Sequence, residues 1–249
     1  MIAEQFVKAC NHVCSTLGIH TEPVGVAYLR AAPEGADTTT PTVACQAIQD
    51  ARYGKVIYLH HRNSKCFGAS YFLGFEPLSE RAADFWVNNE QSLCDVHAAE
   101  QMVASFPVPP EARDQVIAFF PARLFCHVPD LVIFVCNPLQ VSRLLGLQTF
   151  KNGIPIRFYG YGATCQTSVG IPYHTREAGV SFIDLPSRQI AHFRENEVLV
   201  SVPVNDVLDI AQSIPLSING TAEPRFNRKG LVYLKGEWNL SKRGADGEI

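Results

Sequence analysis

Three cysteines, Cys45, Cys66 and Cys165, are the residues of this chain whose type and placement most favour chemistry. Cys45-Gln46 and Cys165-Gln166 begin similar stretches 120 residues apart, and a strand candidate that starts with proline precedes each, at residues 23–29 and 155–161. Each stretch then runs to a glycine and a short apolar segment. The pattern indicates two related halves, residues 20–76 and 150–210, that place a thiol at the same point.

Thiolates brought together in this way are suited to soft metals, because sulfur binds zinc, copper(I) and iron–sulfur clusters. Three cysteines without a fourth fit an iron–sulfur cubane, a 4Fe-4S cluster with one accessible iron, or another thiolate-bound metal with one open position. We therefore predict a metal or cluster site at Cys45, Cys66 and Cys165. The alternative is a purely structural role, with three partly buried thiols at structurally sensitive turns.

Other residues are candidates for the surroundings of this site. Gly68 follows Cys66 closely, and its missing side chain allows a cofactor to approach the backbone. His61 precedes Cys66 and is a candidate for the missing ligand, although a solvated polar turn is the simpler interpretation. Arg188 is a candidate for holding an anionic ligand, and a surface salt bridge is the alternative.

Two other classes of function remain open at this stage. A metal-free thiol enzyme would use Cys45 or Cys66 as nucleophile, with His60 or His174 as its base. A small-molecule-binding or regulatory module would need no catalysis. The glycine pattern of dinucleotide-binding loops is absent from the sequence.

The order of elements favours an α/β or α+β fold with a central mixed sheet flanked by helices. A first helix ends at Gly18, and Asn137 caps a helix that begins with Pro138. We predict one domain over residues 1–214 and a C-terminal extension over 215–249. The predicted strands cover residues 24–29, 55–59, 116–120, 131–136, 155–161, 191–193, 197–202 and 231–234.

Further predictions concern individual segments of the chain. Thr40 is predicted to cap a helix with Pro41 at its first position, residues 77–105 are predicted to be mainly helical, and residues 185–188 are predicted to form a turn. Residues 203–214 are predicted to form the last helix.

Composition excludes some partners. A formal charge of −3 over 249 residues offers no basic face for nucleic acid. No apolar run is long enough to span a membrane, and Cys10, His12 and Cys14 interrupt what would have to be an export signal. We expect a cytoplasmic protein that binds a small molecule and forms a homodimer.

Several motifs follow one another in a fixed order along the chain: Pro23-Val24-Gly25-Val26, Cys45 with Ala51-Arg52-x-Gly54, Cys66-Phe67-Gly68-Ala69, residues 129–134 with Asn137-Pro138, Cys165, Ser187-Arg188, and Val200-Ser201-Val202-Pro203. In this order they resemble the ArCR family, an uncharacterised prokaryotic domain of unknown function (family one-six-nine). The resemblance covers roughly residues 20–210 and implies positions rather than an activity. Members often carry a further cysteine shortly before the Ser187-Arg188 pair, and residues 181–186 have none here.

Overall fold

A central antiparallel sheet organises the molecule. The computed structural model describes residues 2–107 and 115–221, without the side chains of residues 2, 80 and 81. The sheet contains six strands in the order β2-β3-β1-β4-β6-β5. The strands are β1 Val24–Leu29, β2 Ile57–His60, β3 Val116–Pro121, β4 Leu131–Cys136, β5 Gly179–Ser181 and β6 Val198–Pro203.

Helices pack on this sheet and confirm the predicted α/β class. The five strand pairings among the described residues are all antiparallel, so the mixed sheet expected from the sequence was wrong. The α-helices are α1 Ile2–Leu17, α2 Ala44–Arg52, α3 Phe67–Phe72, α4 Glu80–Asp84, α5 Val96–Ala104, α6 Pro138–Gln148, α7 Ile171–Thr175, α8 Leu185–Ala191, α9 Val204–Ser213 and α10 Ile218–Thr221. The described residues also form two π-helices, Phe85–Asn89 and Gln166–Gly170, and a 3₁₀ turn, Ala122–Leu124.

The alternation of side chains in β4 separates the two larger apolar cores of the molecule. Leu131 and Ile133 pack on one face of the sheet with α2 and α3, which we call the pocket-side core. Val132 and Phe134 pack on the opposite face with α1, α6 and α9, which we call the far-side core. Every residue of β4 is buried, which explains its unbroken apolar sequence. The sheet is therefore the middle of three layers.

Two helix boundaries confirm the predicted capping chemistry. The Asn137 side chain accepts a hydrogen bond from the Gln140 N–H at 2.9 Å, and Gln140 Oε1 accepts one from the Asn137 N–H at 2.8 Å. This reciprocal pair is a capping box that fixes the start of α6. Gly18 follows α1 with a φ of +68°, a conformation that glycine adopts without strain.

Some local predictions were wrong. Residues 155–161 form no strand, so the second half lacks the element that suggested an internal repeat. Residues 185–188, predicted as a turn, begin α8, which also contains Ala191. The second helix starts at Ala44 with Val43 as its N-cap, whereas we predicted Thr40 as the N-cap and Pro41 as the first helical residue. Residues 231–234 lie outside the described residues.

The C-terminal end of α2 is anchored from two sides. Arg52 Nη2 donates to Glu197 Oε1 at 2.5 Å, and both side chains are buried. Gln49 Nε2 donates to the Ala191 carbonyl at 2.9 Å, which links α2 to α8. Burial favours the neutral form of Glu197, but its hydrogen bonds with Arg52 and the Arg194 N–H outweigh this and lower its pKa. The helix that carries Cys45 is therefore held in place at its far end.

No helix within residues 2–107 and 115–221 combines the length and apolar content that crossing a bilayer requires.

Replacing Glu197 with Gln should destabilise the protein by about 3–5 kcal/mol, because it leaves the buried Arg52 charge without its partner. The free energy of unfolding from urea denaturation measures the loss. The double variant Arg52→Met, Glu197→Leu should recover much of it, since no unpaired charge remains. Glu4→Gln, which breaks the exposed ion pair with Lys8, is the control and should cost less than about 1 kcal/mol.

The same pair predicts a pH dependence. A pKa lowered in the folded state stabilises the protein above the unfolded pKa of glutamate, and this contribution is lost as the pH falls through the folded pKa. Glu197→Gln should therefore flatten the acid side of the stability curve. An identical acid limb in the variant and the parent would contradict the assigned role of Glu197.

Candidate functional site

One cavity beside the pocket-side core collects the three cysteines predicted from the sequence. Cys45, Cys66 and Cys165 all line it, and its volume is about 180 Å³. One water molecule requires about 10–15 Å³ by this measure, so the cavity has room for a group larger than a single ion. The far-side core lies across the sheet and does not contribute to it.

A short parallel bridge places Cys45 and Cys66 together. Thr42 pairs with Ser64, with hydrogen bonds from the Thr42 N–H to the Asn63 carbonyl at 3.0 Å and from the Lys65 N–H to the Thr42 carbonyl at 2.9 Å. Cys45 follows this bridge in the first turn of α2, and Cys66 follows it as the N-cap of α3. The bridge therefore delivers two thiols, 21 residues apart in sequence, to one place.

The Asp184 carboxylate fixes the third cysteine. Asp184 Oδ2 accepts hydrogen bonds from Thr164 N and Thr164 Oγ1, both at 2.6 Å, so the residue before Cys165 is held at two points. The same side chain caps α8 by accepting from Ser187 N at 2.8 Å and Ser187 Oγ at 2.9 Å. Ser187 also hydrogen-bonds with Cys45. Asp184 and Ser187 thus connect two of the three thiol-bearing segments.

Burial keeps all three thiols neutral at neutral pH. It raises the pKa of Cys45 to about 11, although the hydrogen bond with Ser187 acts in the opposite direction. Burial also raises the pKa of Cys66, while the N–H groups of Ala69 and Gly68 lower it. The pKa of Cys165 lies well above its ordinary value because of burial and the negative potential of Cys66 and Asp184. Ionised Cys66 would raise the pKa of both Cys45 and Cys165, and the Asp184 charge raises the pKa of all three thiols, which indicates that they share one electrostatic environment.

Aromatic and large apolar side chains make up a further part of the lining, which we call the aromatic wall. Trp86 is buried and stacks on Phe72 with ring centroids 5.9 Å apart. Tyr161 also lines the cavity and is more than half exposed at 58%. The larger apolar side chains of the lining are Val43, Phe67, Phe85, Trp86, Met102, Tyr161, Pro186 and Ile190. This wall is suited to the apolar part of an organic molecule.

Glu90 contributes a second carboxylate to the cavity. It follows the π-helix Phe85–Asn89, and its N–H bonds the Phe85 carbonyl at 2.8 Å. Burial raises its pKa, and the nearby Asp184 charge raises it further. Its charge in turn contributes to the raised pKa of Cys66. The cavity is therefore rich in groups that become negative on ionisation.

The other predicted site residues differ in their relation to the cavity. Gly68 lines it, and a Cβ at this position would contact Trp86 at 3.4 Å. The Arg188 guanidinium instead donates to four carbonyl oxygens, those of Phe182, Ile183, Arg194 and Glu197, and fixes the chain around α8. His61 packs against His60, with ring centroids 4.0 Å apart, outside the lining. Ligand binding by Arg188 and His61 stays a prediction.

No histidine belongs to the described lining of the cavity, so neither His60 nor His174 is placed beside the thiols as a base. In the described parts of the chain, no group of three or more His, Cys, Asp or Glu side chains is already arranged around the position of a single metal ion. The three sulfur atoms share a cavity without enclosing an ion-sized centre.

Comparisons with known proteins agree with the resemblance seen in the motifs. The model of the family described as Uncharacterised ArCR, domain of unknown function 169, matches residues 13–213. The chain belongs to this family. It is also similar to "Uncharacterized protein MJ0308" of Methanocaldococcus jannaschii, with 25% identity over 193 residues that cover 73% of this chain and 80% of the relative. No solved structure matches.

The sequence-based predictions did not include the two carboxylates that line this cavity, Asp184 and Glu90. Asp184, followed by Pro186 and Ser187, carried an N-cap signal that indicates the start of a helix rather than a turn. Glu90 carried no local signal, because it is one of several polar residues after a short helix. Glu90 reaches the cavity because the preceding Trp86 packs on Phe72 and the backbone turns after it, and both are tertiary features.

The raised pKa values predict slow alkylation of the cavity thiols. At pH 7, exposed Cys94 should react with iodoacetamide well before Cys45, Cys66 and Cys165, because the reactive species is the thiolate. Reaction at the cavity thiols should accelerate about tenfold per pH unit below their pKa values. Peptide mass spectrometry of quenched samples measures each site separately. Buried Cys136 is the control for unfolding and should stay unmodified. A cavity cysteine that reacts before Cys94 at pH 7 would contradict neutral thiols and indicate an activated nucleophile.

Proposed function

We propose that Cys45, Cys66 and Cys165 hold an iron–sulfur cluster, a 4Fe-4S cubane in the favoured form, for redox or cofactor-linked chemistry on a small molecule. Another thiolate-bound metal is the alternative occupant. The observation that carries this proposal is the meeting of three thiols from distant segments in one cavity. The predicted homodimer and cytoplasmic location stay predictions.

A cluster agrees better with the size of the cavity than a single ion does. The described side chains do not surround an ion-sized point, yet all three cysteines line a cavity that is larger than one ion needs. A cubane is broader than an ion and is ligated at separate corners, so its cysteines stand farther apart. Such a cluster, when bound, accepts and releases single electrons.

The protonation state of the thiols argues against the metal-free thiol enzyme. A nucleophilic cysteine needs a lowered pKa or an adjacent base. The cavity instead raises the pKa of each of its three thiols, and its described lining contains no histidine. A metal or cluster overcomes this barrier, because coordination replaces the proton on sulfur.

The apolar wall supports a small-molecule partner beside the thiols. Trp86, Phe85 and Tyr161 offer flat surfaces, and Lys65 lies at the exposed edge of the lining. Binding here would bring an organic molecule within the same cavity as the three thiols. The non-catalytic binding module predicted as a third alternative would use this wall without the metal.

The proposal predicts that each of Cys45→Ser, Cys66→Ser and Cys165→Ser lowers the iron and acid-labile sulfide retained by protein purified and reconstituted without oxygen. Parent protein should bind both in cluster stoichiometry and show visible absorption, whereas each variant should lose most of it because a hard oxygen replaces a soft ligand. Iron and sulfide assays per folded chain measure the effect.

Cys94→Ser and Cys126→Ser are the matched controls, because both residues are exposed and lie outside the cavity lining. Their iron and sulfide contents should equal those of the parent. Parent protein that takes up neither iron with sulfide nor a single thiophilic metal would exclude the proposal. Equal loss in the control variants would point to unspecific iron binding.

A further inference from the structure

We propose that the Glu90 carboxylate supplies the fourth ligand of the three-cysteine site, at the corner that the thiols leave open. This inference rests on the proposed function. Three observations carry it: Glu90 lines the cavity, its carboxylate accepts one long hydrogen bond, from Ser92, and the other lining carboxylate is fully used by the protein.

Asp184 is excluded by its hydrogen bonds. Its Oδ2 accepts from the Thr164 N–H, the Thr164 hydroxyl and the Ser187 hydroxyl, and its Oδ1 accepts from the Ser187 N–H. Ligation through Asp184 would break the N-cap of α8 and release the segment that carries Cys165. Asp184 therefore acts on the site as a positioning residue.

Glu90 has no comparable commitment. The hydrogen bond it receives is from Ser92 Oγ to Oε2 at 3.4 Å, which is long for this type of bond. No ion pair within the described part of the chain includes Glu90. A half-buried carboxylate with this little compensation, beside three groups that become thiolates, favours a bound cation.

The backbone holds Glu90 in position. The Glu90 N–H bonds the Phe85 carbonyl at 2.8 Å, and the Ser92 N–H bonds the Trp86 carbonyl at 3.0 Å. Trp86 itself lines the cavity and is 6% exposed. The chain therefore turns at Glu90 while the Trp86 side chain stays buried. These contacts keep the Glu90 carboxylate at the cavity.

The remaining lining groups are poorer ligands. Ser187 Oγ is bonded to Asp184, and the Lys65 ammonium repels a cation. His60 and His61, the sequence-based candidates for this position, lie outside the lining. Carboxylate oxygen is an established ligand beside thiolates. Of the two carboxylates in the described lining, Glu90 is thus the one with free coordination capacity.

The test compares retention of the iron at the open corner after reconstitution. Ferricyanide removes one electron from a 4Fe-4S cluster. An iron that no protein side chain ligates then leaves as Fe(II). The three-iron cluster that remains has its own EPR signal. Glu90→Gln should form the three-iron signal at least about 10-fold faster than the parent. Glu90→Cys should form it more slowly, because a fourth thiolate holds the corner iron more tightly.

Glu76→Gln is the matched control, since Glu76 is an exposed glutamate outside the lining, and it should behave as the parent does. Equal rates in the parent, Glu90→Gln and Glu90→Cys would overturn the role of Glu90 and leave the three-cysteine site intact. A parent protein that assembles no cluster would overturn both proposals at the first step. Glu90→Cys gives a gain of retention, so the inference stays falsifiable even if Glu90→Gln folds poorly in a thermal melt.

Discussion

The hydrogen bonds of the Asp184 side chain are the interaction on which the site depends. One carboxylate caps α8, holds Thr164 at two atoms and, through Ser187, contacts the surroundings of Cys45. These contacts hold together the segments that carry Cys45, Cys165 and the start of α8, which are remote from one another in sequence. The Thr42–Ser64 bridge brings the segment of Cys66 beside that of Cys45. The thiols therefore meet because polar contacts at loop ends are satisfied, not because the cysteines attract one another.

How much of this could be predicted from sequence differs between elements. The segment from β4 into α6 was predictable, because unbroken apolarity, Asn137 and Pro138 are local signals that the final structure satisfies. Residues 155–161 look like a strand by composition but find no partner strand, and pairing decides strand formation more than propensity does. The antiparallel order was not predictable, since it depends on which strands meet across long connections.

The candidate site was predictable only in part for the same reason. The cysteines were identified by residue type, by the spacing of Cys45 and Cys165, and by resemblance to the ArCR family. Their meeting in one cavity depends on tertiary contacts that no short motif contains. Arg188, a charged residue in a recognisable motif, proves to fix carbonyl groups around α8. Glu90 had no motif at all and is defined by the packing of its neighbour Trp86.

The electrostatics of the cavity connect these structural details to its chemistry. Without a bound cation, the thiols keep their protons, because burial and the nearby Asp184 charge raise the pKa of each one. Asp184 and Glu90 add negative potential, while the only cationic side chain among the described lining residues is the exposed Lys65. A positively charged centre would reverse the balance: it would lower the cost of each thiolate and compensate Glu90 at the same time. A neutral apolar ligand would do neither, so the charge distribution supports the proposed metal centre at the thiols, with the proposed organic molecule at the aromatic wall.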